Sequence, residues 1–187
     1  MKIFSPLKMN LLGPELDFGS VSIIYKHKFD QNLVLKSVPS TKEYDILVSL
    51  DHPNIITPIA QMEGFLILPR LDSLDIIPSI QQIQQLEDAL HYLDQIGLKH
   101  GDIHIGNIMM NDDDLILIDF ESTKKSDNRS LHISLYNLGL ALLYHVLETR
   151  YPNLSNSHYD AMVNRRNHLE LGIVGMYLLN LMDENKV

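Results

Sequence analysis

Three oxygen-bearing side chains surround a short apolar hairpin in LKHGDIHIGNIMMNDDDLILIDFES, residues 98–122. Asp102 precedes the hairpin, Asn107 begins its first predicted strand, NIMM, and Asp119 ends its second, LILID. Because the outer ends of two antiparallel strands meet, the amide and the second carboxylate should lie close together. The loop before the hairpin then presents Asp102. Carboxylate and amide oxygens are the ligands that Mg²⁺ prefers.

Transfer of a terminal phosphoryl group requires this kind of chemistry. The reaction needs little covalent help from a protein, but it needs a metal ion on the phosphates and a lysine on their oxygens. It also needs a carboxylate oriented toward the attacking hydroxyl. The segment therefore predicts a phosphoryl-transfer site, with Asp102 facing the hydroxyl and Asn107 and Asp119 facing the metal.

Strands dominate the first 72 residues. Four β-rich segments are SVSIIYKHKF, NLVLKSV, IITPIA and GFLILP, and the turn composition DQN between the first two predicts a hairpin. STKEYDILVSL predicts a helix with Ser40 or Thr41 as its N-cap. DHPN should end this helix, because the residue before Pro53 is pushed out of the α region.

Helices dominate the remainder. SIQQIQQLEDALHYLDQIG places apolar residues at helical spacing and ends at Gly97; they are Ile80, Ile83, Leu86, Leu90 and Leu93. Two further apolar helices are predicted from SLYNLGLALLYHVLE and HLELGIVGMYLLNLMDE. This segregation predicts an α+β, bilobal fold: one domain over 1–187, with a β-rich N-lobe at 1–72, one short helix in it, and a helical C-lobe at 73–187. A ligand cleft between the lobes is the default expectation.

Composition limits the class of protein. With 187 residues, 45% of them hydrophobic, the chain can bury a core. The formal charge of −9 argues against nucleic acid as a partner, and the absence of cysteine excludes disulfides and thiolate zinc sites. No apolar stretch reaches transmembrane length, and the N-terminus lacks a long apolar run. We therefore expect a soluble cytoplasmic protein with no membrane partner.

The motifs resemble those of the protein-kinase-like superfamily. HGDIHIGN followed by LILIDFE is similar to its catalytic loop and metal motif, H-x-D-x-x-x-x-N and then D-F-G. Further matches follow in the same order as in kinases: FGSV at 18–21 (the end of the glycine-rich loop), LVLK ending at Lys36, Glu43 nine residues before His52 of HPNI, FLILPRL (fifth strand and hinge), and SLYNLGLALLYHVLETRYP (the large helix after the activation segment).

The resemblance implies roles for these positions. Lys36 would contact the phosphates of ATP and pair with Glu43, Asp102 would accept or orient the proton of the substrate hydroxyl, and Asn107 and Asp119 would hold Mg²⁺. The implied nucleotide contacts are Gly19 of the glycine-rich loop, Val21 and Val34 over the adenine, Leu68 as gatekeeper, and the Pro69 carbonyl and Leu71 amide at the adenine edge.

Several departures point to a minimal kinase. The glycine-rich loop keeps Gly13 and Gly19 but has PELD between them, and Gly101 replaces the arginine of H-R-D. HGDxHxGN with IDFE is closer to aminoglycoside and choline kinases than to typical protein kinases. Little chain lies between Glu121 and YNLG, and it has no A-P-E motif. We therefore expect a truncated helix C and no phosphorylation switch in the activation loop. A minimal kinase of this kind is found among compact atypical kinases and among bacterial effector and viral kinases.

Simpler interpretations stay open for single residues. Asp119 could only end a strand, Lys36 could be a surface lysine, and Glu43 a solvated helix residue. Four further positions have two candidate roles each. His100 could support the loop structurally or act as a catalytic base, and His104 could contact the phosphates or only fill space in the fold. Glu121 could bind the metal or point into solvent, and NDDD could be a hairpin turn or a calcium site.

Three functions follow. The first is an ATP- and Mg²⁺-dependent Ser/Thr protein kinase with a protein substrate, acting in the cytoplasm (the host's, for a pathogen protein). The second is a kinase of an alcohol or aminoglycoside-like small molecule, motivated by HGDIHIGN and IDFE. The third is a nucleotide-binding pseudokinase that acts through a regulatory partner protein, motivated by the poor glycine-rich loop.

Overall fold

The β-branched segments near the N-terminus pair into one antiparallel sheet, and the apolar helical segments pack together after it. The computed structural model describes residues 11–18, 22–166 and 168–186, with backbone only at residues 17, 18 and 168–170. The chain divides into two compact units, Met1–Leu71 and Asp72–Val187. The first is rich in strands and the second in helices, so the predicted α+β class is confirmed. That 1–187 forms one kinase domain stays a prediction.

The described part of the N-terminal unit forms a five-stranded sheet in the order β1-β2-β3-β5-β4. Its strands are β1 (Leu12–Phe18), β2 (Ile23–His27), β3 (Leu33–Ser37), β4 (Ala60–Met62) and β5 (Phe65–Pro69), and its helix is α1 (Lys42–Leu47). The predicted hairpin of β2 and β3 is confirmed, with Lys26 opposite Val34 and Ile24 opposite Lys36.

This unit differs from the sequence-based expectation at one unpredicted strand and at two predicted elements. The segment of β1 was not predicted as a strand. The strand predicted over IITPIA is wrong, because β4 begins only at Ala60, after Pro58, which has no N–H for a ladder. Helix α1 ends at Leu47, well before Pro53. Its end is set by short bonds, since the Ser49 N–H and hydroxyl both donate to the Ile46 carbonyl, at 2.9 and 2.6 Å.

The C-terminal unit combines short strands with four described helices. The strands are β6 (Asp72–Ser73), β7 (Leu98–Lys99), β8 (Ile108–Asn111), β9 (Asp114–Leu117) and β10 (Lys124–Lys125). The helices are α2 (Ile80–Gln95), α3 (Ser130–Arg150), α4 (Asn156–Arg165) and α5 (His168–Glu184). The predicted hairpin of β8 and β9 is confirmed, and β6 extends it into three strands. Helix α4 was not predicted.

Helix α2 confirms its predicted apolar face and holds the hairpin from its turn. Four of the five predicted apolar positions are buried, together with Ala89, whereas Ile80 is only half-buried. From its polar side, the Gln82 side-chain amide donates to the Asp113 carbonyl at 2.7 Å. The Gln85 amide donates to the Asp114 carboxylate, also at 2.7 Å. The turn end of the hairpin is thereby fixed to a long helix.

Helix α3 is the core helix of this unit. By length and composition α3 alone among the described helices could cross a membrane, so the expectation that no apolar stretch reaches that length is wrong. Half of this helix is buried in the protein. Helix α3 packs against α5, and a Cβ added at Gly139 would lie 2.7 Å from Cγ of Met182. Leu142 and Val146 of the same helix are fully buried. Burial against α5 explains its apolar composition.

The start of α2 offers a test of local stability. The Ser79 hydroxyl accepts from the Gln82 N–H at 3.2 Å, and the Gln82 side-chain oxygen accepts from the Ser79 N–H at 2.8 Å. Replacing Ser79 by Ala should lower the free energy of unfolding by about 1 kcal/mol, because the N–H of Gln82 loses its acceptor. Urea unfolding measures this loss. Ser79→Thr keeps a hydroxyl and should recover most of it; equal losses for both variants would contradict the capping role.

Candidate active site

The segment that follows β7 is anchored by a buried histidine. Nε2 of His100 lies 2.8 Å from the carbonyl oxygen of Ile118, and a carbonyl can only accept, so this nitrogen carries the proton. Nδ1 then accepts from the Asp102 N–H at 3.3 Å. The imidazole packs edge-on against Phe120, with ring centroids 4.6 Å apart. Burial lowers the pKa of His100. A neutral imidazole thus braces the loop, and this geometry favours the structural interpretation over a catalytic base.

Asn107 connects the loop to the hairpin. It ends a 3₁₀ turn, Ile105–Asn107, and its side chain is buried. The side-chain NH₂ donates to the Asp102 carbonyl at 2.9 Å, and its backbone carbonyl accepts from the Ile118 N–H at 3.0 Å. The first bond fixes which way the amide points. Because the NH₂ is used in the loop, Oδ1 is the atom of this amide that suits a cation.

Asp119 lies directly after this bonded pair. The register pairs Ile108 with Leu117, so Asn107 and Ile118 meet at the open end of the hairpin. Asp119 follows with φ 63°, in the left-handed region, and begins a 3₁₀ turn, Phe120–Ser122. Its side chain is half-buried. The structure therefore brings the loop of Asp102, the amide of Asn107 and the backbone before Asp119 together. That the Asp119 carboxylate lies beside the amide stays a prediction.

The side chain of Asp102 faces solvent and has a histidine near it. It is 54% exposed, and its Oδ2 lies 3.6 Å from Nε2 of His104, whose side chain is 53% exposed. Nδ1 of His104 accepts from the Gly106 N–H at 3.1 Å, which leaves Nε2 to carry the proton. A ring this exposed does not fill space in the core. The carboxylate of Asp102 is therefore accessible from solvent.

Gly101 lies between His100 and Asp102, in a backbone conformation that residues with a side chain avoid. Its φ is 88°, and a Cβ added there would lie 2.4 Å from the carbonyl oxygen of Ser122. An arginine at this position, as in H-R-D, would require the loop or the 3₁₀ turn to move. The backbone here therefore has no room for a side chain without such a movement.

The chain after the 3₁₀ turn is fixed by its own hydrogen bonds. Strand β10 pairs with β7, with Lys124 opposite Lys99. Lys99 Nζ lies 3.0 Å from a carboxylate oxygen of Asp127, and the Arg129 N–H donates to the other oxygen at 3.0 Å. The backbone bond from Arg129 and the bond from Lys99 lower the pKa of Asp127 to about 2. No phosphate is needed to hold these residues, in keeping with the expected lack of a phosphorylation switch, which stays a prediction.

In the N-terminal unit, Lys36 and Glu43 form a buried ion pair. Lys36 Nζ lies 2.8 Å from Oε1 of Glu43, and the side chains are 5% and 4% exposed. Neither is a surface residue, so the simpler interpretations of both are wrong. The pair joins β3 to α1, whose six residues match the predicted truncated helix.

The predicted adenine contacts lie around the same strand. Val34 is two residues from Lys36 and opposite Leu68 of β5, so these three side chains share one face of the sheet. Pro69 ends β5 and Leu71 is half-buried. Two further predicted contacts, Gly19 and Val21, lie outside the described residues.

The donor set suits magnesium rather than a metal that binds nitrogen or several carboxylates. Within residues 11–18, 22–166 and 168–186, no cluster of three or more histidine, aspartate or glutamate side chains is arranged to hold a metal. A Mg²⁺ site does not need one, since one or two protein oxygens and the substrate phosphates suffice. Asn107 and Asp119 fit that requirement. Asp112 and Asp113 form the exposed two-residue turn of the hairpin, which favours the turn interpretation of NDDD over a calcium site.

Comparison with known proteins points to the same segment. The model of a phosphotransferase enzyme family matches residues 62–127. The matched range contains Asp102, Asn107 and Asp119, and it excludes Lys36 and Glu43. A search of curated proteins found no match. The match supports a kinase-type phosphotransferase and leaves the acceptor, protein or small molecule, undetermined.

Two glycines provide a matched test of the close approach at Gly101. Gly97 also has a positive φ, 75°, but a Cβ added there meets nothing within 4 Å. Gly97→Ala should therefore cost about 1 kcal/mol of stability, the ordinary cost of the left-handed region. Gly101→Ala should cost clearly more, because the Ser122 carbonyl must move. Urea unfolding of both variants gives the comparison, and equal losses would show that the approach to Ser122 imposes no constraint.

The buried His100 predicts how stability depends on pH. In the folded chain the pKa of His100 is lowered from 6.5. Just below pH 6.5 this residue is therefore protonated in the unfolded chain but stays neutral in the folded chain. Stability should therefore fall as pH drops below 6.5, by up to about 1.4 kcal/mol per pH unit from this residue. Urea unfolding at a series of pH values measures the slope.

A variant without this imidazole isolates its contribution to the slope. His100→Gln should be less stable at neutral pH and should show a smaller pH slope below 6.5 than the unaltered chain. His158→Gln, at an exposed histidine of α4, serves as the control and should keep the slope. An unchanged slope in His100→Gln would contradict the buried neutral state.

Proposed function

We propose that this protein is an ATP- and Mg²⁺-dependent phosphotransferase that phosphorylates serine or threonine hydroxyls of a protein substrate. The observation that carries the proposal is the hydrogen-bonded junction of Asp102, Asn107 and Ile118 at the open end of the hairpin. It holds an exposed carboxylate, an oriented amide and the carboxylate of Asp119 on adjoining backbone. The same junction lies inside the range matched by the phosphotransferase family.

Asp102 would act on the acceptor. The hydroxyl oxygen forms a bond to the terminal phosphorus, the bond from that phosphorus to the bridging oxygen breaks, and ADP leaves with the electron pair. Asp102 orients the hydroxyl and takes up its proton. His100 supports this role structurally, because both nitrogens of its neutral ring are used by the Asp102 N–H and the Ile118 carbonyl. The ring therefore does not compete with Asp102 for the proton of the hydroxyl.

Asn107 and Asp119 would hold the metal. The bond from the Asn107 NH₂ to the Asp102 carbonyl leaves the amide oxygen for a hard cation, and Asp119 adds a carboxylate. When bound, Mg²⁺ neutralises charge on the phosphates during transfer.

Lys36 would bind the phosphates of ATP. Burial penalises an isolated ammonium, but the Glu43 carboxylate at 2.8 Å compensates the charge and fixes where the Lys36 side chain points. Beside it, Val34 and Leu68 supply an apolar surface on the same face of the sheet, suited to an adenine ring. The Pro69 carbonyl and the Leu71 amide would meet the polar edge of that ring.

The acceptor has two candidates. The protein substrate is supported by the HPNI and YNLG matches, which resemble protein kinases. A small-molecule alcohol is supported by the family match over 62–127, which includes HGDIHIGN and IDFE. Both share one site and one reaction, and they differ only in what delivers the hydroxyl.

The test is transfer from terminally labelled ATP with Mg²⁺, to casein and histone in one arm and to aminoglycosides and choline in the other. Asp102→Ala should reduce transfer by about 10²–10⁴-fold, because the hydroxyl loses its proton acceptor. Asp113→Ala removes an exposed carboxylate from the hairpin turn and should retain activity.

The outcomes separate the candidates. Labelled protein supports the first acceptor and a labelled small molecule the second. Equal transfer by Asp102→Ala and the unaltered chain would contradict the site. Thermal stabilisation by Mg-ATP with no transfer in either arm would replace both with the nucleotide-binding pseudokinase, because a ligand at 100 times its Kd adds about 2.7 kcal/mol without any chemistry.

A further inference from the structure

The turn between β2 and β3 concentrates positive charge in an otherwise acidic chain. The chain carries a formal charge of −9, yet Lys26, Lys28 and Arg70 lie around this turn and are all exposed. Arg70 reaches it through β5, and its N–H donates to the Asn32 carbonyl at 2.7 Å. In the part of the chain that the structure describes, none of these three cations has an acidic partner within ion-pair distance.

An aromatic side chain projects from the middle of these cations. Phe29 is 71% exposed. Lys28 Nζ lies 5.5 Å from the centroid of its ring, and the His27 ring meets it edge-on at 6.3 Å. The Asp30 N–H donates to Nδ1 of His27 at 3.0 Å, which fixes that ring. The phenyl ring therefore has a cation and an imidazole beside it while most of its surface stays in water.

These residues line an open cavity of about 590 Å³. The carboxylate in its wall, Asp30, accepts the Asn32 N–H at 2.9 Å and so serves the turn itself. The backbone bonds of Asn32 and Arg70 join the turn to the end of β5, so the two sides of the cavity belong to one paired sheet. The cavity is thus a wide, open recess on one paired sheet, lined by cations and one apolar ring.

We propose that this cavity, lined by Lys26, Lys28, Phe29, Asp30 and Arg70, docks an acidic segment of another protein. Carboxylates of the segment would pair with the three cations, and an apolar residue between them would cover Phe29. Charge complementarity of this kind raises association rates and selects partners. The proposal does not depend on phosphoryl transfer.

Concave shape and mixed charge favour a polypeptide over the other anionic partners. A lipid surface is broad, and it would contact the projecting Phe29 without entering the cavity. A nucleic acid presents a continuous phosphate array, which the Asp30 carboxylate and the net charge of −9 oppose. A peptide can space its carboxylates around Asp30 and supply the apolar side chain at the same time.

The test measures binding of a fluorescein-labelled, glutamate-rich peptide with one central leucine to the full chain by fluorescence anisotropy at low salt. Lys28→Glu with Arg70→Glu should weaken binding by at least about tenfold, because two attractive charges become repulsive. Phe29→Ser should weaken it several-fold. Arg165→Glu with Lys186→Glu changes the net charge equally at two exposed cations elsewhere and should leave binding unchanged.

Further arms decide between the occupants. Replacing every glutamate of the peptide by glutamine should abolish binding, and saturating Mg-ATP should not displace the acidic peptide. Absence of binding, equal weakening in the control double variant, or displacement by Mg-ATP would overturn the proposal. Capture by phosphatidylserine vesicles without peptide binding would overturn it in favour of a membrane surface.

Discussion

The candidate site depends on one hydrogen-bonded junction, in which Asn107 closes the open end of the hairpin. Its backbone carbonyl accepts from Ile118 and its side chain donates to Asp102, so one residue fixes both the strand register and the loop. The buried ring of His100 also joins the loop to the hairpin, because it binds both the Ile118 carbonyl and the Asp102 N–H. Without these bonds the two carboxylates would belong to independent loops. With them, the two backbone segments that carry these side chains are tied to the same residue.

Support for this junction comes from both ends of the hairpin. At the turn, Gln82 and Gln85 of α2 bind Asp113 and Asp114, and α2 is itself anchored by its buried face. At the open end, Phe120 is fully buried and packs on His100. The loop of Asp102 and the open end of the hairpin are therefore tied to buried elements, and preorganisation of this kind is what phosphoryl transfer requires of a protein.

Charge is used differently in different parts of the chain. The ammonium of Lys36 is buried and its charge is compensated by Glu43, so the ammonium is held in one position. The cations of the β2–β3 turn are exposed and lack acidic partners in the described residues, so they can exchange partners with solvent and with other molecules. The first arrangement suits the binding of one ligand in one pose. The second suits encounter with an acidic surface, where long-range attraction matters more than exact geometry.

Local patterns predicted the elements whose signal is contained in a short stretch of chain. Helix α2 has its apolar face and its Gly97 stop within twenty residues, roughly the length of one ordinary helix. The hairpin around NDDD was equally local. Strand β1 was missed because glycine, proline and two acidic residues interrupt its strand signal, and its pairing with β2 shows irregular register. Helix α4 was missed because Tyr159 is its one buried residue, so it lacks an apolar stripe.

For the candidate site, the sequence by itself determined which residue types are available and in what order: Asp102, Asn107 and Asp119 around a hairpin, with Lys36 and Glu43 upstream. Only the tertiary structure decided that the amide of Asn107 points its NH₂ into the loop and that His100 is neutral with its proton on Nε2, because the deciding carbonyl belongs to Ile118, far along the chain. It also decided that Arg70 joins Lys28 around Phe29, because that neighbourhood arises from the pairing of β3 with β5. Contacts between distant segments follow from how the whole sheet and core pack, and no local pattern of residues encodes them.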